Sequence, residues 1–166
     1  MLTSHELLGF MSPALGADIL NYAYESDKGL YRATLTAVAE SRKMRPVFLE
    51  RQPRTQRHET MLSVLSRPAM ELAASTLIRG WLMKKYQAML TDFLDALGIA
   101  HKEGVVESLP ETIEDAKLKA AIETLLSKYP HEVVATYMNA FNSMNETRWS
   151  NLDSLLKEDS RLQLGG

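Results

Sequence analysis

The dipeptide His-Glu occurs three times, as His5-Glu6, His58-Glu59 and His131-Glu132, and each could begin the zinc-protease motif H-E-x-x-H. That motif works because two histidines four apart lie on one helix face and share the metal. Here the residues at the second histidine position are Gly9, Leu62 and Ala135, so the pairing fails each time. Di-iron bundles need a glutamate three residues before each ligating histidine. At those offsets from the four histidines stand Leu2, Thr55, Gly98 and Lys128. There is no cysteine, which removes thiolate zinc sites, iron–sulfur clusters, disulfides and a cysteine nucleophile together. No metal and no cofactor is expected from these patterns.

Other reaction classes find little more support. Gly9, Gly16, Gly29, Gly80, Gly98 and Gly104 are scattered, and none precedes Lys-Ser or Lys-Thr, so no phosphate-cradling loop is written in the chain. The serine-hydrolase elbow G-x-S-x-G is absent. Glu111, Glu114 and Asp115 sit where acids complement the start of a helix dipole, which is a structural use of carboxylates. No residue is therefore assigned a catalytic role.

One stretch does stand out. RKMRPVFLERQPRTQRH, residues 42–58, carries Arg42, Lys43, Arg45, Arg51, Arg54 and Arg57 against Glu50 alone, a formal +5 in a chain whose net charge is −2. Clustered cations are the footprint of proteins that displace counterions from phosphates, and equally of acidic protein partners. Base stacking needs exposed rings, and the only aromatic inside the run, Phe48, falls in the triplet Val47-Phe48-Leu49 and is expected in the core. The six cations are therefore expected mainly to solvate a connector and pair with acids from flanking segments. Contact with an anion or a partner is the alternative role. A second candidate is His101, placed with Glu103 in GIAHKEG, where a loop histidine is expected to be exposed and free to titrate. Trp81, near Arg79, Lys84 and Lys85, is assigned to the core rather than to a ligand platform.

These residues need elements to hold them. At 166 residues, with 45% apolar and 24% charged, the composition is that of one folded globular domain. No apolar run reaches the roughly 20 residues of a membrane helix, and MLTSHELLGFM has no cationic start, so a cytoplasmic protein without membrane contact is expected. Charge is polarised along the chain: residues 28–85 carry +8, residues 1–27 carry −4 and residues 86–166 carry −6.

The periodicity is helical throughout. Ser12-Pro13 predicts a helix start, with the serine as N-cap and the proline where an N–H is not needed. A second helix follows SDKG and ends before Pro46, a short one fills the segment between Pro46 and Pro53, and another opens at Thr55. The longest candidate spans 68–98. Its apolar face turns by about 130° along its length, which predicts either changing neighbours or a bend near Gly80. Gly98, followed by Ile99, predicts a left-handed cap. Ser108-Leu109-Pro110-Glu111 is a capping-box sequence that predicts a helix start, and two further helices follow Pro130 and include Trp149. No Asn-Gly or Asp-Gly hairpin turn is present.

The expected fold is all-α, a single-domain irregular bundle of about six to eight helices over residues 1–166, with 160–166 as a flexible tail. RLQLGG at the end resembles the conjugation tail of ubiquitin-like modifiers. That family carries its tail on a β-grasp fold, and no strand is predicted here, so Gly165-Gly166 are expected to be a flexible end. The leading functional expectation is a non-enzymatic helical interaction or adaptor protein with a protein partner or a second copy of itself. A polyanion- or nucleic-acid-binding module using residues 42–57 comes next. A small-ligand protein or enzyme with a pocket between helices is third.

Overall fold

A computed structural model describes residues 2–164, and among them the chain forms ten α-helices and no strand. The all-α expectation holds, with the helix number above the expected six to eight. The described residues fall into two compact units, Thr3–Trp81 and Leu82–Leu164, the latter joined by Leu2. No helix is long and apolar enough to cross a membrane.

The first unit begins with α1 (Ser4–Phe10), a helix the sequence pattern does not announce. Its start is held from two directions. The Glu6 carboxylate accepts from the Thr3 N–H at 3.1 Å, and Glu71 accepts from the N–H groups of Ser4 and His5 at 3.1 and 2.8 Å. These acceptors satisfy donors that a helix start leaves open. The Thr3 hydroxyl, bonded to Glu6, is the main reason that carboxyl titrates below its ordinary range.

Helix α2 (Pro13–Ser26) starts as the sequence predicts, with the Ser12 hydroxyl accepting from the Leu15 N–H at 3.2 Å. Asp27 ends it and caps α3 (Lys28–Ser41) by accepting from Leu30 N–H, also at 3.2 Å. Next come α4 (Pro46–Glu50) and α5 (Arg54–Leu65), which packs against α1, α2 and α3. Leu7, Ile19, Leu20, Leu35, Val38, Leu49, Met61, Leu65 and Leu77 are buried in this unit.

The long 68–98 helix is not one element. Pro68–Met70 form a 3₁₀ turn, α6 runs Glu71–Lys85, and α7 runs Gln87–Ala96. The interruption falls at Tyr86, with φ −118° and ψ 30°, rather than near Gly80. The turning apolar face signalled the break but not its place. Gly80 serves the other purpose open to a glycine, close approach: a Cβ there would lie 2.7 Å from Leu30 Cδ2.

In the second unit, α7 ends in a Schellman motif. Gly98 has φ +70°, its N–H bonds to the Asp95 carbonyl, and the Ile99 N–H bonds to the Leu94 carbonyl, both at 3.0 Å. The predicted helix start at Ser108 does not form. Helix α8 begins at Asp115 and ends at Lys128, because the preceding segment spends its carbonyls on tertiary bonds instead. Pro110 O accepts from Trp149 Nε1 at 2.9 Å, and Ile113 O accepts from Asn151 Nδ2 at 2.8 Å. Helix α9 (His131–Met144) and α10 (Ser150–Glu158) follow, and rings of Phe93, Tyr137, Phe141 and Trp149 meet between α7, α9 and α10 with neighbouring centroids 5.3–6.1 Å apart. Deep burial pushes the Tyr137 hydroxyl far above its ordinary titration range.

The C-terminal segment expected to be a tail is partly built into this unit. Ser160–Leu162 form a 3₁₀ turn packed on α9, and Leu162 is fully buried. Gly165-Gly166 lie outside the described residues.

Candidate functional site

The basic stretch is only partly a connector: residues 42–45 and 51–53 form the turns on either side of α4, and the rest is helical. Arg42 and Lys43 close α3, Arg45 sits at the N-cap of α4, Arg51 at its C-terminus, and Arg54 and Arg57 lie in the first turn of α5. The end of α3 repeats the geometry seen at Gly98. Met44 N–H bonds to Ala39 O and Lys43 N–H to Glu40 O, both at 3.0 Å, with Lys43 in the left-handed position at φ +55°. A side chain there costs more than glycine does.

Two features depart from what the sequence predicts. First, flanking acids do little pairing with the cluster. Arg54 meets Glu25 at 3.4 Å, whereas Glu50 pairs with Arg32 at 2.5 Å. Arg42, Lys43, Arg45 and Arg51 make no ion pair among the described residues. Second, Phe48 is not in the core: it is 49% exposed on α4, with Val47 exposed beside it, while Leu49 takes the buried position. A helix of five residues can bury only one narrow face, so an apolar triplet must leave members outside. Arg51 places its guanidinium 5.7 Å from the Phe48 ring centroid.

Arg57 separates from the rest of the cluster by being buried. Its Nη1 donates to the Glu50 carbonyl at 3.0 Å, and its guanidinium lies 5.5 Å from the Tyr24 ring centroid and 5.8 Å from that of Tyr31. Arg54 lies closer to Tyr24, at 4.0 Å. Beside them His58 is buried, its Nε2 2.9 Å from the Tyr31 hydroxyl. Burial, then the charges of Arg57 and Arg54, push His58 down to about 4, so the imidazole is neutral at ordinary pH. The two tyrosines stand on α2 and α3, outside the basic run, and no spacing within that run points to them. Tyr24 lies at the edge of the α2 apolar stripe rather than in it, the one sign that its ring could face a neighbouring side chain.

In the second unit, His101 is not a free loop histidine. Its Nδ1 accepts from the Gly104 N–H at 3.1 Å, which leaves the proton on Nε2 to be donated to Asp95 Oδ1 at 2.7 Å. Glu103 and Gly104, at φ +53° and +88°, form the centre of a two-residue turn closed by paired bonds between Lys102 and Val105. Those angles match a type I′ turn, formed by Glu-Gly where the sequence has no Asn-Gly or Asp-Gly. The Glu103 carbonyl accepts from Gln87 Nε2 at 2.9 Å. His101 and Glu103 thus order a loop.

No family model matches this chain, and neither do any of the curated proteins or solved structures compared with it.

The same unit contains a cleft of about 270 Å³ between α9, α10 and the C-terminal turn. Its polar groups are already engaged: Asn139 Nδ2 donates to the carbonyls of Ala135 and Leu162, and Asp153 binds Lys157 at 3.0 Å and Asn142 at 3.4 Å. The His-Glu pairs stay apart in role, with His5 Nδ1 2.7 Å from Glu71, His58 on Tyr31, and His131 at the start of α9. Among the described residues no three His, Cys, Asp or Glu side chains are gathered as a metal site.

Proposed function

We propose that this chain is a non-enzymatic helical interaction protein that binds an acidic segment of a partner protein through the α4 surface of its first unit. The observation that supports this reading most is Phe48, half-exposed on α4, with Val47 beside it and Arg51 over its ring. Protein interfaces favour aromatic anchors and arginine, and they disfavour lysine. The cluster has five arginines and one lysine. Arg42, Lys43, Arg45 and Arg51 have no carboxylate partner among the described residues, so the charge that surrounds the apolar anchor is available to an acidic partner.

A photo-crosslinking amino acid placed at position 48 in cells tests the reading, with the same group at the exposed Glu59 as control. The expected product is a protein crosslink specific to position 48, through a peptide rich in Asp and Glu, that disappears in an Arg45→Gln/Arg51→Gln background. Crosslinks that vanish on nuclease treatment would replace this reading with nucleic-acid binding. Crosslinks to a second copy of the chain would make the surface a self-association site.

A further inference from the structure

The junction of α2, α3 and α5 holds a positive charge that its neighbours do not balance. Arg57 is 8% exposed, its Nε meets no acceptor, and no carboxylate lies within ion-pair distance of it among the described residues. A buried guanidinium ordinarily has an anion beside it, because desolvation is otherwise uncompensated. The Glu50 carbonyl, the Tyr31 hydroxyl and the faces of Tyr24 and Tyr31 supply partial negative charge only. Arg54 brings a second guanidinium to the Tyr24 ring, and its one acid, Glu25, is well exposed and distant at 3.4 Å.

The local backbone adds to the same imbalance. Pro53 at the N-cap of α5 offers no side-chain acceptor, and the first turn carries no acid. Within the helix, the first N–H to be bonded is that of Arg57, to Pro53 O at 2.9 Å, so the N–H groups of Arg54, Thr55 and Gln56 have no acceptor in the helix. A helix start favours anions, yet here it carries two arginines. Side chains lean toward the start of their helix. Arg57 does so, since its Nη1 reaches Glu50, which precedes α5.

We infer that this junction binds a phosphoryl group, held by Arg54 and Arg57 at the start of α5. A phosphate dianion offsets both guanidinium charges, and its tetrahedral oxygens accept from guanidinium and helix N–H donors together. A carboxylate brings one charge and two oxygens. The neutral His58, hydrogen-bonded to Tyr31, forms a wall of the site without adding a third cation. The site uses neither Phe48 nor Arg51, so it stands or falls separately from the α4 surface.

The test is a titration of the full chain with inorganic phosphate, read on the arginine Nε–H resonances and the His58 ring, against sodium chloride at matched ionic strength. Glycerol 3-phosphate is a second arm. Saturable shifts at Arg54, Arg57 and His58 are expected with phosphate and not with chloride, together with a phosphate-dependent rise in melting temperature. Tighter binding of glycerol 3-phosphate would identify a phosphomonoester as the ligand, and equal or weaker binding would identify free phosphate. Arg54→Gln changes an exposed side chain, so it should keep the fold and weaken binding by about tenfold or more, while Phe48→Ala should leave binding unchanged. Shifts that follow ionic strength alone overturn the inference, as does unaltered binding in an Arg54→Gln variant with wild-type circular dichroism.

Discussion

The Tyr31 hydroxyl lies 2.9 Å from Nε2 of a buried, neutral His58, with the Arg57 guanidinium 5.8 Å from the Tyr31 ring. This arrangement makes stability depend on pH in a definite direction. His58 titrates at about 4 in the folded chain, against an ordinary value near 6.5. Between those values the unfolded chain takes up a proton that the folded one refuses, so stability is full above about pH 6.5 and falls as pH drops toward 4. The loss attributable to this ring is on the order of 3 kcal/mol. Urea unfolding at several pH values should show a steeper acid loss in the wild type than in His58→Asn, and parallel curves would place His58 in contact with water.

Gly80 and Leu30 are predicted to be coupled. Alanine at position 80 gains about 1 kcal/mol of helix propensity, but its Cβ would press on Leu30 Cδ2 at 2.7 Å. Gly80→Ala alone should therefore change stability little. In a Leu30→Ala background the same substitution should stabilise by about 1 kcal/mol, which a double-mutant cycle in urea would measure. Identical effects in both backgrounds would show that Leu30 moves aside freely.

Leu77 and Phe93 are both fully buried. Leu77→Ala should cost about 2–5 kcal/mol and Phe93→Ala about 3–5 kcal/mol. A loss under about 0.5 kcal/mol at either position would mean that its side chain is on the surface.

Lys43 and Gly98 occupy the same left-handed position in two Schellman motifs, at φ +55° and +70°. Opposite substitutions should have opposite signs. Lys43→Gly is expected to raise stability by ~0.5–1 kcal/mol, and Gly98→Ala to lower it by about 1 kcal/mol. Thermal melts of the two variants should move in opposite directions.

How far the sequence reaches can be judged from these same residues. Gly98 followed by Ile99 is legible because a cap of this kind needs a glycine and an apolar residue in fixed order. Lys43 is not, since nothing in its type marks a left-handed residue and only the bonds to Ala39 and Glu40 reveal it. The break at Tyr86 has neither glycine nor proline to announce it, and α1 depends on Glu71, which is remote in sequence. Ser108 carries a local cap signal that tertiary bonds from Trp149 and Asn151 override. The arginines of the candidate site are plain as a charge run. That Phe48 faces outward, and that Arg57 faces inward to rings on two other helices, are products of packing that no spacing within the run encodes.

The chain has two tryptophans, both buried, and they are divided between the units: Trp81 closes the first and Trp149 stands at the head of α10 in the second. Each unit therefore carries its own fluorophore. Trp81→Phe and Trp149→Phe variants leave a single emitter in one unit or the other, so the red shift of indole emission in denaturant reports the melting of each unit by itself. Coincident curves would make the 166 residues one cooperative folding block, and separated curves would resolve a half-unfolded species in which one indole is already wet.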